Sequence, residues 1–293
     1  MAGRWGAVLT AMVTPFDDDL ALDLDAAADL ARWLQDHGND GLVVAGTTGE
    51  APTLSEREKL DLWRAVSEAV TIPVIAGTGS NNTAETIELT RQAASVGASG
   101  VLLVGPYYNR PPQSGIDAHF RAAAAATDLP VMLYDVPGRT GRRIAHDVLV
   151  RLFTDVSNIV AFKDATGDPP GAARLASELP EIDIYSGDVA LTLSLLAVGA
   201  VGVVGTSTHW TGPETGEMIA AFEKGDVQRA REINARLIES YLFENSDTCV
   251  FSQSIKVMMR TLGLRVGECR LPLGPAPAGT EERAREVWKH LHA

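Results

Sequence analysis

At 293 residues the chain has the length of two average domains, or of one α/β barrel of roughly 250 residues with an appendage. Hydrophobic residues make up 45% of it, ample for a large core, while 38 acidic against 25 basic residues leave a formal charge of -13. A surface so acidic repels phosphate backbones and anionic lipid, so neither nucleic acid nor a membrane is an expected partner.

The N-terminal segment shows no basic region followed by a sustained apolar run, and is read as leading into a first strand rather than as a signal peptide. No stretch approaches the ~18 uninterrupted apolar residues of a membrane span. Cys249 and Cys269 lie far apart without a Cys-x-x-Cys pattern, so free thiols and a cytoplasmic location are expected. The histidines are scattered, no metal-ligand spacing is present, and no metal or cofactor is expected.

Short β-branched apolar runs begin near Gly6, Gly41, Pro73, Gly100, Pro130, Asn158, Asp183 and Gly202, eight in all. Segments with helical spacing lie between them, over residues 25–37, 55–70, 83–96, 115–127 and 146–153. Ser55 and Thr83 stand where N-cap hydroxyls belong, with acidic residues in the turn that follows. Strands apolar on both faces suit a parallel sheet covered by helices, and eight βα units close into a (β/α)8 TIM barrel. A doubly wound sheet would carry a glycine-rich phosphate loop after its first strand, where this chain has Thr14-Pro15-Phe16. Beyond about residue 222 the strand signal stops, and helices are expected over 225–243, 249–262 and 281–290. The expected organisation is therefore a barrel over 1–223 and a C-terminal helical extension over 224–293, packed on the barrel.

In such a barrel the active site lies at the carboxyl ends of the strands. Polar residues collect there: Thr47 and Thr48 after the second strand, Tyr107 and Tyr108 after the fourth, Tyr134 and Arg139 at the fifth, Lys163 in the sixth. The chain has five lysines against twenty arginines, and only Lys163 falls inside a strand. Burial would lower its pKa and supply a neutral amine able to attack a ketone carbonyl. Position alone leaves a second reading open, a rim lysine paired with Asp164 or Asp188.

The motifs Gly46-Thr47-Thr48-Gly49-Glu50, Pro106-Tyr107-Tyr108-Asn109, Tyr134-Asp135-Val136-Pro137-Gly138-Arg139 and Lys163-Asp164-Ala165-Thr166-Gly167, in this order, resemble the dihydrodipicolinate synthase branch of the pyruvate-dependent class I aldolase superfamily. N-acetylneuraminate lyase belongs to the same superfamily. The resemblance implies that Lys163 forms a Schiff base with pyruvate, with Tyr134, Thr47 and Tyr108 as a proton relay. It implies a homotetramer, a dimer of dimers, in which Tyr108 crosses to the neighbouring subunit's site. Thr48 would bind the pyruvate carboxylate and Arg139 that of L-aspartate-4-semialdehyde, while Gly187 and Val204 would shape the site through backbone groups. The implied product is 4-hydroxy-tetrahydrodipicolinate, on the diaminopimelate route to lysine. Alternatives are a sugar-acid aldolase of the same superfamily and a non-catalytic member of the fold.

Three departures from the family pattern stand out. Asp135 replaces a frequent Asn, Val189 a frequent Asp, and Thr208-His209-Trp210 puts bulk at the end of the eighth strand, near the expected acceptor side. Asn81, Glu85 and Tyr107 match the family's regulatory site, but Glu56 and Lys59 stand where lysine-sensitive members often have His, so strong lysine inhibition is not expected.

Overall fold

Each apolar run becomes a short buried strand in the computed structural model of the chain. The structure describes residues 3–244, 246 and 248–293. The first two residues of the segment read as leading into the first strand lie outside the described residues, as do Asn245 and Asp247 of the expected extension. The strands are β1 (Val8–Ala11), β2 (Gly41–Val44), β3 (Val74–Gly77), β4 (Gly100–Val104), β5 (Val131–Asp135), β6 (Ile159–Asp164), β7 (Asp183–Ser186) and β8 (Gly202–Gly205). All pair in parallel in sequence order, and β8 closes on β1 through Val8 opposite Val203.

The helices that cover and extend this barrel are α1 (Leu24–Asp36), α2 (Glu56–Ala69), α3 (Thr83–Ala93), α4 (Gln113–Ala124), α5 (Pro137–Thr140) and α6 (His146–Asp155). They continue as α7 (Pro169–Glu178), α8 (Thr192–Leu196), α9 (Thr208–Glu223), α10 (Val227–Glu244), α11 (Phe251–Thr261) and α12 (Thr280–Leu291). Ser55 caps α2 as its composition predicts: its hydroxyl accepts the Glu58 N–H, and the Glu58 carboxylate accepts the Ser55 N–H. The N-cap of α3, however, is Asn82 and not Thr83, because the Asn82 carboxamide reaches the Ala84 N–H. Thr83 is the first helical residue, and its hydroxyl meets His119 Nδ1 at 2.9 Å.

Strand alternation divides the core into two layers. Leu42, Val74, Val101, Leu133 and Phe162 point outward into the layer shared with the helices. Leu9, Val43, Ile75, Leu102, Met132 and Ala161 point inward and fill the barrel. Trp5 and Tyr185 join that inner layer, where the Tyr185 hydroxyl accepts the Trp5 N–H and donates to the Gly6 carbonyl, tying the N-terminal segment to the barrel interior. The expected bulk at the end of β8 has a different structure. Thr208-His209-Trp210 is the first turn of α9, and all three residues are buried. His209 donates from Nδ1 to the Thr206 carbonyl and accepts the Val13 N–H at Nε2, so the imidazole bolts α9 to the segment after β1. Burial holds its pKa down to about 4, and the ring is neutral. Among the described residues no helix is long and apolar enough to cross a membrane.

Candidate active site

The alternation that packs Met132 and Ala161 inside the barrel brings Tyr134 and Lys163, two residues further on, to the same inner face. Their Cα atoms are register partners on β5 and β6, and Lys163 Nζ lies 4.3 Å from the centroid of the Tyr134 ring. Lys163 is only 5% exposed. Burial lowers its pKa to about 7, and the positive charge of Arg139 adds to that effect. Among the described residues no carboxylate forms an ion pair with it. The reading of a rim lysine paired with Asp164 is countered by the strand itself, which turns the next residue outward. Asp164 instead accepts the Thr166 N–H at 2.8 Å.

Tyr134 is buried, and desolvation raises its pKa to about 12 against the opposing effects of Arg139 and of a hydrogen bond with the Thr47 side chain. The phenol is therefore a neutral hydroxyl at physiological pH, able to give and accept a proton. Tyr134, Thr47 and Arg139 share a cavity of about 410 Å³ that Tyr107, Val136 and Thr140 help to wall. Lys59, Ser80, Asn81 and Glu85 line the same cavity. Arg139 is exposed in α5, and its guanidinium carbon stands 4.5 Å over the centre of the Phe251 ring.

The turn after β2 is held from several sides. Thr14 donates to the Gly49 carbonyl, Ser252 donates to the Thr48 carbonyl, and Glu50 adopts a left-handed φ of 56°. The Glu50 carboxylate accepts the Arg270 N–H and pairs with Lys256 Nζ at 2.7 Å, both side chains being almost wholly buried. Among the described residues the Thr48 N–H makes no hydrogen bond. Thr48 itself is buried and does not line the cavity. Gly187 donates its N–H to the Asp164 carbonyl at 2.7 Å, and a Cβ there would fall 2.9 Å from that of Ala165, so only glycine fits. Val204 lies fully buried in the same inner cluster as Tyr134. Lys163, Gly187 and Val204 are not among the residues that line the cavity, and Tyr108 stands furthest from burial, 90% exposed on a loop where its φ is 70°.

Asp135, at the position of a frequent family Asn, faces outward and accepts the Ile144 N–H with Oδ2. Burial raises its pKa to about 7, and the Asp164 carboxylate acts in the same direction. Phe251, Ser252 and Lys256 escape a reading confined to strand ends, and Glu50, read there as part of a motif, is the buried partner of Lys256. One signal was available for Lys256, a scarce lysine set directly among Ile255, Val257 and Met258.

A closed barrel with an inward amine, neighbouring hydroxyls and an arginine at the carboxyl ends of its strands has the layout of a (β/α)8-barrel enzyme. The chain belongs to the dihydrodipicolinate synthetase family, whose model matches residues 4–292. It is 50% identical over 285 residues to the 4-hydroxy-tetrahydrodipicolinate synthase of Acidothermus cellulolyticus, covering 96% of this chain and 91% of that one. The dihydrodipicolinate synthase of Cyanidioschyzon merolae, solved with lysine bound, is 42% identical with a TM-score of 0.95 over 98% of both chains. That of Bacillus anthracis is likewise 42% identical, with a TM-score of 0.92 over 99% of both.

Proposed function

We propose that the chain is a 4-hydroxy-tetrahydrodipicolinate synthase that joins pyruvate to L-aspartate-4-semialdehyde through a Schiff base on Lys163. The observation that carries this reading is a buried lysine amine, held near pKa 7, against the ring of a buried tyrosine. Neutral Lys163 Nζ attacks C2 of pyruvate, and loss of water leaves a protonated imine. That imine withdraws electrons from C3, which gives up a proton to become an enamine and attacks the aldehyde of the second substrate. The amino group of that substrate then adds to C2, and Lys163 departs as the amine as the ring closes.

Each of the other residues has a task in this sequence. Tyr134 and Thr47, hydrogen-bonded to each other, carry protons to and from the carbinolamine oxygen. Tyr108 completes the relay from a neighbouring subunit of a homotetramer built as a dimer of dimers, a role its exposure supports. The free Thr48 N–H suits the pyruvate carboxylate, and Arg139 suits the second one, in bidentate fashion. Gly187 and Val204 shape the space around the imine through their backbones. Residues 224–293 form an extension of the barrel over 1–223, and the cytoplasm is the site of action.

Incubation with pyruvate and borohydride followed by peptide mapping tests the reading. A reduced adduct on Lys163, with turnover of aspartate semialdehyde, is expected. No adduct would overturn the enzyme reading, and an adduct with cleavage of sugar acids alone would point to the aldolase alternative.

The lining around Lys59 also bears on regulation. The Lys59 ammonium lies 3.8 Å from Glu85, whose other carboxylate oxygen accepts the Ser80 hydroxyl. A cationic amino acid entering there would meet a resident cation, so millimolar L-lysine is expected to leave the initial rate nearly unchanged. Inhibition at micromolar L-lysine would contradict this.

A further inference from the structure

Two carboxylate-bearing substrates need two anion sites, and both candidate sites touch the same turn of a helix outside the barrel's βα repeats. Phe251 and Ser252 are the first two residues of α11. The Phe251 ring lies under the Arg139 guanidinium at 4.5 Å, and the Ser252 hydroxyl donates to the Thr48 carbonyl at 3.1 Å. We infer that Phe251 and Ser252 are positioning residues, which orient Arg139 for the acceptor carboxylate and the Thr48–Gly49 peptide for the pyruvate carboxylate. The inference deepens the proposed function and rests on it.

The choice of an aromatic partner for Arg139 has a physical reason. An exposed arginine on its flexible stem samples many rotamers, and ordering it at the moment of binding costs affinity. A carboxylate partner would order it but would occupy the N–H edge that a substrate carboxylate needs. An aromatic face holds the guanidinium through its plane and leaves the in-plane donors free. Among the described residues no ion pair competes for Arg139 and no hydrogen bond occupies its donors, in keeping with such a cradle.

Ser252 acts through planarity. A peptide group is rigid, so fixing the direction of the Thr48 carbonyl fixes the Gly49 N–H in the same plane and restrains the residue whose own N–H is proposed for the pyruvate carboxylate. Ser252 is 2% exposed, which shields this hydrogen bond from exchange with water. The turn that bears both residues is itself anchored. Gln253 accepts the Val250 N–H with its side-chain oxygen, and its amide nitrogen donates to the carbonyls of Leu273, Gly274 and Pro275. The start of α11 is thus tied to the connection that precedes α12, and not only to the barrel.

The two contacts make separable demands on the kinetics of the full-length enzyme. Phe251→Leu keeps apolar bulk but removes the π face, and is expected to raise KM for aspartate semialdehyde roughly two- to fivefold. KM for pyruvate and borohydride trapping at Lys163 should stay as in the wild type, and Phe251→Tyr should restore the acceptor KM. Ser252→Ala is expected to raise KM for pyruvate roughly two- to tenfold with the acceptor KM unchanged. An unchanged acceptor KM in Phe251→Leu, or parallel rises in both KM values in step with a lowered unfolding midpoint, would overturn the inference. A wild-type protein that forms no pyruvate adduct would instead overturn the proposed function, and the positioning roles with it.

Discussion

Three of the five lysines, Lys59, Lys163 and Lys256, are buried in this protein, and their surroundings separate them by role. Lys256 faces a carboxylate at 2.7 Å, whereas Lys163 faces an aromatic ring and a distant guanidinium. A charged Lys163 is therefore uncompensated, which makes its amine reactive and its presence costly. Imine formation needs the neutral amine, so the rate of borohydride-trapped adduct formation should rise with pH through about 7. Arg139→Gln removes the second cause of the lowered pKa and should move that midpoint upward; an unmoved midpoint would show that burial acts alone. The sign for stability follows from the same shift. The folded pKa of about 7 lies below the ordinary 10.5, so the unfolded chain binds the extra proton between these values. Stability contributed by this site therefore rises with pH across that window, and its cost is greatest and constant below it. Lys163→Met should abolish the adduct yet raise the thermal midpoint at pH 6, by a gain on the order of a few kcal/mol. A lower midpoint would show that the ammonium finds compensation in the fold.

At the scale of elements, the strands were the most legible part of the sequence. Parallel strands covered on both faces must be apolar throughout, and Gly41–Val44 or Gly100–Val104 leave little else to choose. The site residues on the strands follow once the alternation is known, as Tyr134 and Lys163 do. Caps and buttresses were less legible, since they depend on partners remote in sequence. Asn82 and Thr83 both have N-cap chemistry, and only the backbone geometry chooses between them. Thr208-His209-Trp210 reads as a continued strand because its first turn is buried on all sides, which removes the polar face that marks a helix. The Glu50–Lys256 pair joins α11 to the turn after β2, across two hundred residues of chain, and no local pattern announces it. Removing one partner leaves a buried charge alone, so Glu50→Gln should destabilise by about 3–5 kcal/mol. Glu50→Gln combined with Lys256→Met should recover most of that loss in urea unfolding. A double variant as weak as the single one would show that the charges, and not the packing around them, hold the turn.

For the molecule as a whole, Tyr108 is the residue that points beyond a single chain. Its ring is 90% exposed and its backbone is left-handed, a conformation that L residues adopt at a cost of roughly 1–2 kcal/mol. The loop is nonetheless anchored, with Asn109 Nδ2 donating to the Asn81 carbonyl and the Asn109 N–H to that of Tyr107. An aromatic held out into solvent by an ordered loop gains nothing for a single barrel, and the proposed neighbouring subunit would give the arrangement a purpose. If Tyr108 serves the neighbour's Lys163, the two residues belong to one site but to different chains. Lys163→Ala alone should be inactive, and Tyr108→Phe alone should turn over slowly while still forming the pyruvate adduct. Mixing the two variants under conditions that exchange subunits then creates mixed dimers in which one site has both an intact lysine and an intact tyrosine. With equal amounts and random pairing, half the dimers are mixed and half their sites are complete, so activity should approach about one quarter of wild type. A tyrosine that acts within its own chain gives no such recovery, and the mixture would show only the mean of its parents.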